Sequence, residues 1–331
     1  MRLTVGSLFS GCGGLDLGME RAGFDTIWMC ENDKWCRKIL NKNWPGIHLY
    51  EDANTFMPDS VDILIGGFPC QPVSFAGRRN GVDDPKWLWP AYERTIRNLR
   101  PRYVIVENVP GLFRHGFDEV LGSLALQGYN AEWFSLQSSD IGAPHRRKRV
   151  FILATNSGSL GLRKDNKGPS GKQGKARGRE KNDYFPQRLS EESISAAALA
   201  DTVSGRFKKR QKGWELQLIE SERDSVANSD SKYEYRAGRI QGTRGQEFAD
   251  SDFGNYAEAI RRWSELNGLP PAPRDEQGRM SPYFVEWMMG FPEGWTEGVS
   301  KTQRLKMLGN SVQVQCAQVA GNLIREKVKN E

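Results

Sequence analysis

The chain has 331 residues, with 47 lysines and arginines against 41 aspartates and glutamates, a net charge of +6 and a mean hydropathy of −0.63. No apolar run approaches the roughly 18 residues that cross a membrane, and the N-terminus MRLTVGSLFSGCGGL turns glycine-rich too soon for a signal peptide. Five cysteines (12, 30, 36, 70 and 316) without a Cys-x-x-Cys pair point to neither a disulfide framework nor a zinc knuckle. A basic chain in a reducing cytoplasm, with an anionic partner such as nucleic acid and neither membrane nor metal, is the expectation. The length exceeds what one hydrophobic core ordinarily serves, so one large and one smaller domain are expected.

In chain order, β-rich runs alternate with helical patterns up to about residue 155: LTVGSLF, FDTIWMCE, VDILIGG, RYVIVENV, AEWFSL and RVFILAT, separated by stretches such as Asp33 to Asn43 and Trp87 to Leu99. That alternation predicts βαβ units, a mostly parallel sheet with helices on both faces, and ligands at the carboxyl ends of the strands. After Thr155 the composition shifts to Gly, Ser, Lys, Arg, Asn and Asp, with "GKQGKARGREKND" and "FKKRQK". A degenerate signature recurs there, at Thr155-Asn156-Ser157, Ala200-Asp201-Thr202, Ala227-Asn228-Ser229 and Ala249-Asp250-Ser251. Its uneven spacing rules against a solenoid and reads as a duplicated turn-forming element, with disorder expected between copies within 156–250. From Met280 apolar residues return (MSPYFVEWMMGFPEGW), and Lys301 to Lys327 reads as a loop followed by a helix.

Three constellations carry chemistry. Leu8 to Leu15, LFSGCGGL, ends a strand and opens a helix, with Gly11, Gly13 and Gly14 where backbone turns tightly and approaches a ligand. Glu31 follows about twenty residues on and Asp52 ends "HLYED", acids placed to receive ribose hydroxyls. The glycines do not give G-x-G-x-x-G, so a cofactor without phosphate, S-adenosylmethionine, suits the loop better than a nicotinamide dinucleotide. Next, GGFPCQPVS holds Cys70 between two prolines, which stiffen the loop and aim a sulfur that would act as thiolate. A buried structural thiol is the ordinary reading of a cysteine standing alone. Finally, Glu107 ends the run Tyr103 to Val106 on the same rim, and Arg147 and Arg149, two apart, face one way if extended.

Taken together, SLFSGCGGLDLG, CEND, ED, GGFPCQPVS, VENV, APHRRKRVF, SPYFVEWMMGFP and LGNSVQVQ stand in an order that resembles the DNA (cytosine-5) methyltransferases, over nearly all of the first 155 residues and again from about 281 to 323. Ser7 stands where many members have Asp, Val73 where the loop usually has Phe, and His145 where Gln is common. The resemblance implies a Rossmann-like methyltransferase fold, with a catalytic domain of 1–155 plus 296–331 and a smaller, loop-rich target recognition domain of 156–295. It implies Cys70 as nucleophile, Glu107 as acid, and Arg147 and Arg149 at the target base. S-adenosylmethionine, released as S-adenosylhomocysteine, would be held by Phe9, Gly11, Gly13, Gly14, Glu31, Asn32, Asp52, Pro69, Leu88, Asn310 and Ser311. Double-stranded DNA is the implied partner of a monomeric, nucleoid-associated enzyme, and a cognate restriction endonuclease acting separately is compatible with it. A tRNA methyltransferase of the same fold and a non-catalytic DNA-binding relative are the alternatives.

Overall fold

The computed structural model describes residues 2–69, 84, 87–158, 187–190, 193–194, 206–210, 213–217 and 239–331. Strands β1 (Thr4–Leu8), β2 (Asp25–Cys30), β3 (His48–Tyr50), β4 (Ile63–Gly66), β5 (Tyr103–Asn108), β6 (Tyr129–Gln137), β7 (Lys148–Asn156) and β8 (Gln187–Arg188) form one sheet in the order β3-β2-β1-β4-β5-β7-β6-β8. Neighbours run parallel except at β7, which is antiparallel to both β5 and β6. The mostly parallel, doubly covered sheet expected from the alternation is therefore present. Chain order reverses between β1 and β4, and the crevice above such a point is where this class of sheet receives ligands.

Both faces of the central strands are buried, which is why β4 and β5 read as unbroken apolar runs rather than alternating ones. On one face Val5, Ile63, Ile65 and Ile105 meet helix α1 (Gly14–Arg21) and the C-terminal helix. On the other, Leu8, Leu64, Val104, Val106 and Ile152 meet α3 (Trp89–Leu99) and α4 (Phe117–Leu126) through Trp89, Tyr92, Ile96, Val120 and Leu124. Between β2 and β3 runs α2 (Lys34–Asn43), started by Asp33, whose carboxylate accepts from the amides of Trp35 at 2.8 Å and Cys36 at 3.3 Å. After the sheet come the antiparallel pairs β9 (Arg206–Arg210) with β10 (Gly213–Gln217) and β11 (Arg239–Gln241) with β12 (Glu247–Ala249), then α5 (Asp250–Phe253), α6 (Ala257–Asn267) and α7 (Pro282–Met288). Phe253, Ile260, Trp263, Phe284 and Trp287 form a separate cluster with Ala143, while Met289 and Phe291 pack with Cys12, Cys36 and Ile39. Of the recurring signature, the copies at 155–157 and 249–251 both fall at a strand's end, and those at 200–202 and 227–229 lie outside the described residues.

One element differs from expectation. Residues 301 onward form two helices, α8 (Lys301–Asn310) and α9 (Val314–Lys329), not a loop and one helix. Ser300 caps α8 by accepting from the Gln303 amide, and Arg304, Met307 and Leu308, spaced for a single helical face, are buried. The loop is only the short link 311–313. There α1 and α9 approach closely enough that a Cβ on Gly18 would lie 2.4 Å from that of Ala317.

Asp16 on α1 is fully buried, and desolvation, opposed by the Ser7 hydroxyl, pushes its pKa up to about 7. The unfolded chain ionises this carboxyl near pH 4, so its contribution to stability is complete below that and is lost as pH rises towards about 7. Urea unfolding across pH 4–8 should show this decline in the wild type and a flatter profile in Asp16→Asn. Parallel profiles would contradict it.

Candidate active site

The site rests on what a reversed strand does. β5 delivers Glu107 to the carboxyl-end rim of the parallel strands, and β7, running the other way, brings its beginning to that same rim. The register pairs Glu107 with Phe151 and Asn108 with Val150. Arg149, two residues before Phe151, therefore shares Glu107's face of the sheet. Its Nε donates to Glu107 Oε1 at 2.8 Å, with both side chains largely buried. Burial raises the Glu107 pKa, opposed by the charges of Arg149 and Arg147 and by the Arg149 hydrogen bond.

Glu107 also faces the loop that follows β4. A Cβ on Gly67 would lie 2.5 Å from Glu107 Oε2, so a side chain there would push the Glu107 carboxylate out of this position. Asn108 fastens them: its Nδ2 donates to the Phe68 carbonyl at 3.2 Å, and its Oδ1 accepts from the Val109 amide at 2.9 Å. Phe68 is buried edge-on against Trp87, ring centroids 5.0 Å apart. Pro69, half-buried, is the last described residue before Cys70. Cys70 and Val73 lie outside the described residues.

The two arginines do not act alike. Arg147 precedes β7 and its guanidinium donates to the carbonyls of Gly309 at 2.8 Å and Ser311 at 2.5 Å, tying the start of the strand to the link between α8 and α9. Facing one way held only for an extended pair, and the strand begins one residue too late for that.

Beside this pair, the loop after β1 turns through left-handed backbone at Phe9 (φ 56°), Gly11 (φ 58°) and Gly13 (φ 86°). For Phe9, a residue with a Cβ, that conformation costs about 1–2 kcal/mol; its ring is held edge-on against Tyr92, whose hydroxyl donates to the Ile105 carbonyl at 2.7 Å. A Cβ on Gly11 would meet nothing within 4 Å, so the loop is open there. Gly14 abuts Ser311 and Val312, which brings the C-terminal link against the start of α1.

Glu31, at the end of β2, accepts from the Gly11 amide at 2.8 Å through one carboxylate oxygen and from the Asp33 amide at 2.7 Å through the other. Burial raises its pKa, opposed by these backbone bonds. Each oxygen retains a lone pair for a hydroxyl. Asn32 is exposed on the same rim. Asp52 lies two residues past β3, exposed, capping its own turn through the Asn54 amide at 2.9 Å. Leu88 is half-buried at the start of α3, Asn310 is exposed at the end of α8, and Ser311 is half-buried beside Gly14. Phe9, Gly11, Gly13, Gly14, Glu31 and Ser311 are thus gathered around one loop, with Asn32, Asp52, Leu88 and Asn310 on elements bordering it.

Sequence reasoning did not single out Asn108, which locks the two strand ends, or Trp295, whose indole Nε1 donates to the Cys12 carbonyl at 2.8 Å. An indole in a Gly-Phe-Pro-Glu-Gly-Trp turn was the available signal for the second. Among the described residues no group of three or more His, Cys, Asp or Glu is arranged to hold a metal, and no helix is long and apolar enough to cross a membrane.

The chain is similar to known methyltransferases. The Type II methyltransferase M.MthTI of Methanothermobacter thermautotrophicus is 38% identical over 163 residues, 46% of this chain and 49% of that protein. This chain therefore aligns with about half the length of that relative. M.NgoPII of Neisseria gonorrhoeae, another Type II methyltransferase, is 28% identical over 95% of this chain and 93% of its own. In fold, the chain matches the crystal structure of the S. pombe Dnmt2 methyltransferase with a TM-score of 0.55 at 15% identity, covering 99% of both chains. The family model for C-5 cytosine-specific DNA methylases matches residues 3–326. The chain belongs to the C-5 cytosine-specific DNA methylase family.

Proposed function

We propose that this chain is a site-specific DNA (cytosine-5) methyltransferase that attacks an extruded cytosine through Cys70. The observation that carries this reading is the Glu107–Arg149 pair at the mouth of the Gly67-Phe68-Pro69 segment, next to the open loop at Gly11. An acid and a guanidinium converge beside the segment that leads to Cys70 in the sequence.

The residues around that loop suit S-adenosylmethionine better than a phosphate-bearing cofactor. The Gly11 amide, a natural phosphate donor in such folds, is committed to Glu31, and a second carboxylate, Asp52, stands on the same rim. Phe9, Gly11, Gly13, Gly14, Glu31, Asn32, Asp52, Pro69, Leu88, Asn310 and Ser311 would hold the donor. When bound, it supplies an electrophilic methyl group for carbon 5 of the base.

Carbon 5 of cytosine is a poor nucleophile. Addition of the Cys70 thiolate at carbon 6 converts the ring to an enamine and makes carbon 5 reactive. Glu107 in its acid form holds a proton at ring nitrogen 3, and its buried position favours that form. Arg149 serves two ends, orienting Glu107 and offering its remaining N–H donors to the 2-oxo group as charge develops. Arg147 supports from its anchor on the C-terminal link. Loss of the carbon 5 proton to a solvent base, expulsion of the Cys70 thiolate from carbon 6 and return of the nitrogen 3 proton to Glu107 restore aromaticity.

A stacked base cannot reach this rim, so the duplex must open and the cytosine flip, at a cost of a few kcal/mol. The module 156–295 is proposed to hold the opened DNA. Its apolar cluster around Trp263 and Trp287 supports a packing unit distinct from the sheet's core, although Ala143 of the larger domain joins it and Met289 and Phe291 lend side chains to that domain.

Duplex DNA substituted with 5-fluorocytosine at the recognised site should trap a covalent adduct at Cys70 when the donor is supplied, and Cys70→Ser should give none. Transfer of tritiated methyl groups should label duplex DNA. Label in tRNA alone would overturn the substrate assignment, and methylation by Cys70→Ser would overturn the nucleophile.

A second test concerns pH. Because the Glu107 pKa is raised, the acid form persists above the usual carboxylate range and is lost as pH climbs through the folded value. Single-turnover rates should fall along that limb. Glu107→Gln, which cannot titrate, should be slower by about 10²–10⁴-fold, the span of one general acid, and lack the limb. A variant that keeps it would show that another group is responsible.

A further inference from the structure

The turn between α7 and α8 is far more firmly anchored than a surface connection requires. Glu286 on α7 is completely buried, and its carboxylate accepts from the amides of Gly294 at 2.9 Å and Thr296 at 2.8 Å, from the Thr296 hydroxyl, and from Arg304 at 2.8 Å. Arg304 in turn donates through Nε to Thr296 Oγ1 at 2.9 Å and lies over the Tyr283 ring, 4.3 Å from its centroid. A buried ion pair is tolerable only with its remaining hydrogen-bonding capacity satisfied, and here it is spent on the turn's own backbone. From the opposite side, α2 grips the same turn: Lys42 donates to the Gly294 carbonyl at 2.7 Å and Asn43 to that of Trp295 at 3.2 Å.

What this scaffolding holds still is Trp295. Its ring stands edge-on to Trp44, centroids 5.2 Å apart, and Trp44 is the residue a Cβ on Gly13 would strike at 2.4 Å. Its indole N–H donates to the carbonyl of Cys12, which lies between the two left-handed glycines of the open loop. The Cys12 thiol is buried and faces the Met307 carbonyl of α8 at 3.8 Å. The Gly11 amide is fixed by Glu31 and the Gly13 amide by the Ser10 carbonyl at 2.8 Å. Trp295 thus supplies, from 283 positions away, the bond that holds the carbonyl end of the Cys12–Gly13 peptide, whose amide end is held by Ser10.

We propose that Trp295 is a positioning residue for the methyl donor, holding the Cys12 peptide so that the loop between Phe9 and Gly14 is preorganised to receive it. The inference rests on the cofactor reading above. Preorganisation lowers the cost of ordering the loop on binding, so loss of the bond acts on donor affinity rather than on transfer. Glu286 and Arg304 act one step further away, through the turn.

The test uses the full chain, with S-adenosylhomocysteine binding by calorimetry and methylation of duplex DNA at varied donor. Trp295→Phe keeps an aromatic ring and removes the donor. Its Kd for S-adenosylhomocysteine and its KM for S-adenosylmethionine should rise about three- to tenfold, the effect of one hydrogen bond, with kcat falling proportionally less. Asn43→Ala, which leaves the indole in place but loosens its backbone, serves if the first variant folds poorly, and should shift both constants in the same direction. A folded variant whose Kd and KM equal those of the wild type overturns the inference, as does a loss confined to kcat. A wild type that binds neither molecule overturns the cofactor reading itself and this inference with it.

Discussion

A carboxyl group at the end of a buried parallel strand is costly to ionise, and a cation at the amino-terminal end of the neighbouring strand meets it there only if that strand runs the other way. β7 is that strand. Had it run parallel to β5, its N-terminal arginines would lie at the far edge of the sheet, roughly 20 Å away across the six residues of β5. Its reversal puts Arg149 in direct contact with Glu107, and the other features of the site are arranged around that contact. Gly67 gives Glu107 room, Asn108 bolts the end of β5 to Phe68, and Arg147 secures the start of β7 to the carbonyls at Gly309 and Ser311. The pair is a compromise between burial, which favours the neutral acid, and the guanidinium, which favours the anion. A group balanced in this way can change its protonation during a reaction with little rearrangement.

The second constraint is the loop at the β1 and β4 switch point. Left-handed backbone at Phe9, Gly11 and Gly13 is not a conformation the loop would keep by itself, and its surroundings over-determine it. Glu31 fixes it from the neighbouring strand, Tyr92 supports the Phe9 ring, and the returning C-terminal segment closes it through Ser311 beside Gly14 and Trp295 on Cys12. The last 50 residues therefore do not merely cover the sheet. They complete a site whose other half lies at the beginning of the chain.

The sheet was legible because strands buried on both faces must be apolar throughout: Ile63 to Ile65 and Tyr103 to Val106 admit little else. The glycine loop, Glu31 and Glu107 were legible because strand ends are where such folds place ligands. Other features depended on exact element boundaries. Arg147 and Arg149 diverge because the strand starts between them, and α8 was hidden by the Leu-Gly-Asn-Ser run that ends it. Asp52 lies just beyond β3, where it caps a turn. Trp295 was only half legible: the Gly-Phe-Pro-Glu-Gly-Trp turn marks an indole, but its partner is a backbone carbonyl remote in sequence, which no side-chain pattern identifies.

If the reversed strand exists to make Glu107 and Arg149 work as a unit, their contributions to transfer cannot be independent. A double-mutant cycle of Glu107→Gln and Arg149→Gln, read by single-turnover methylation at saturating donor and DNA, measures this directly. Strong non-additivity is expected, with the double variant little slower than the slower single one. Rate losses that simply multiply would contradict it, because each side chain would then be acting without the other.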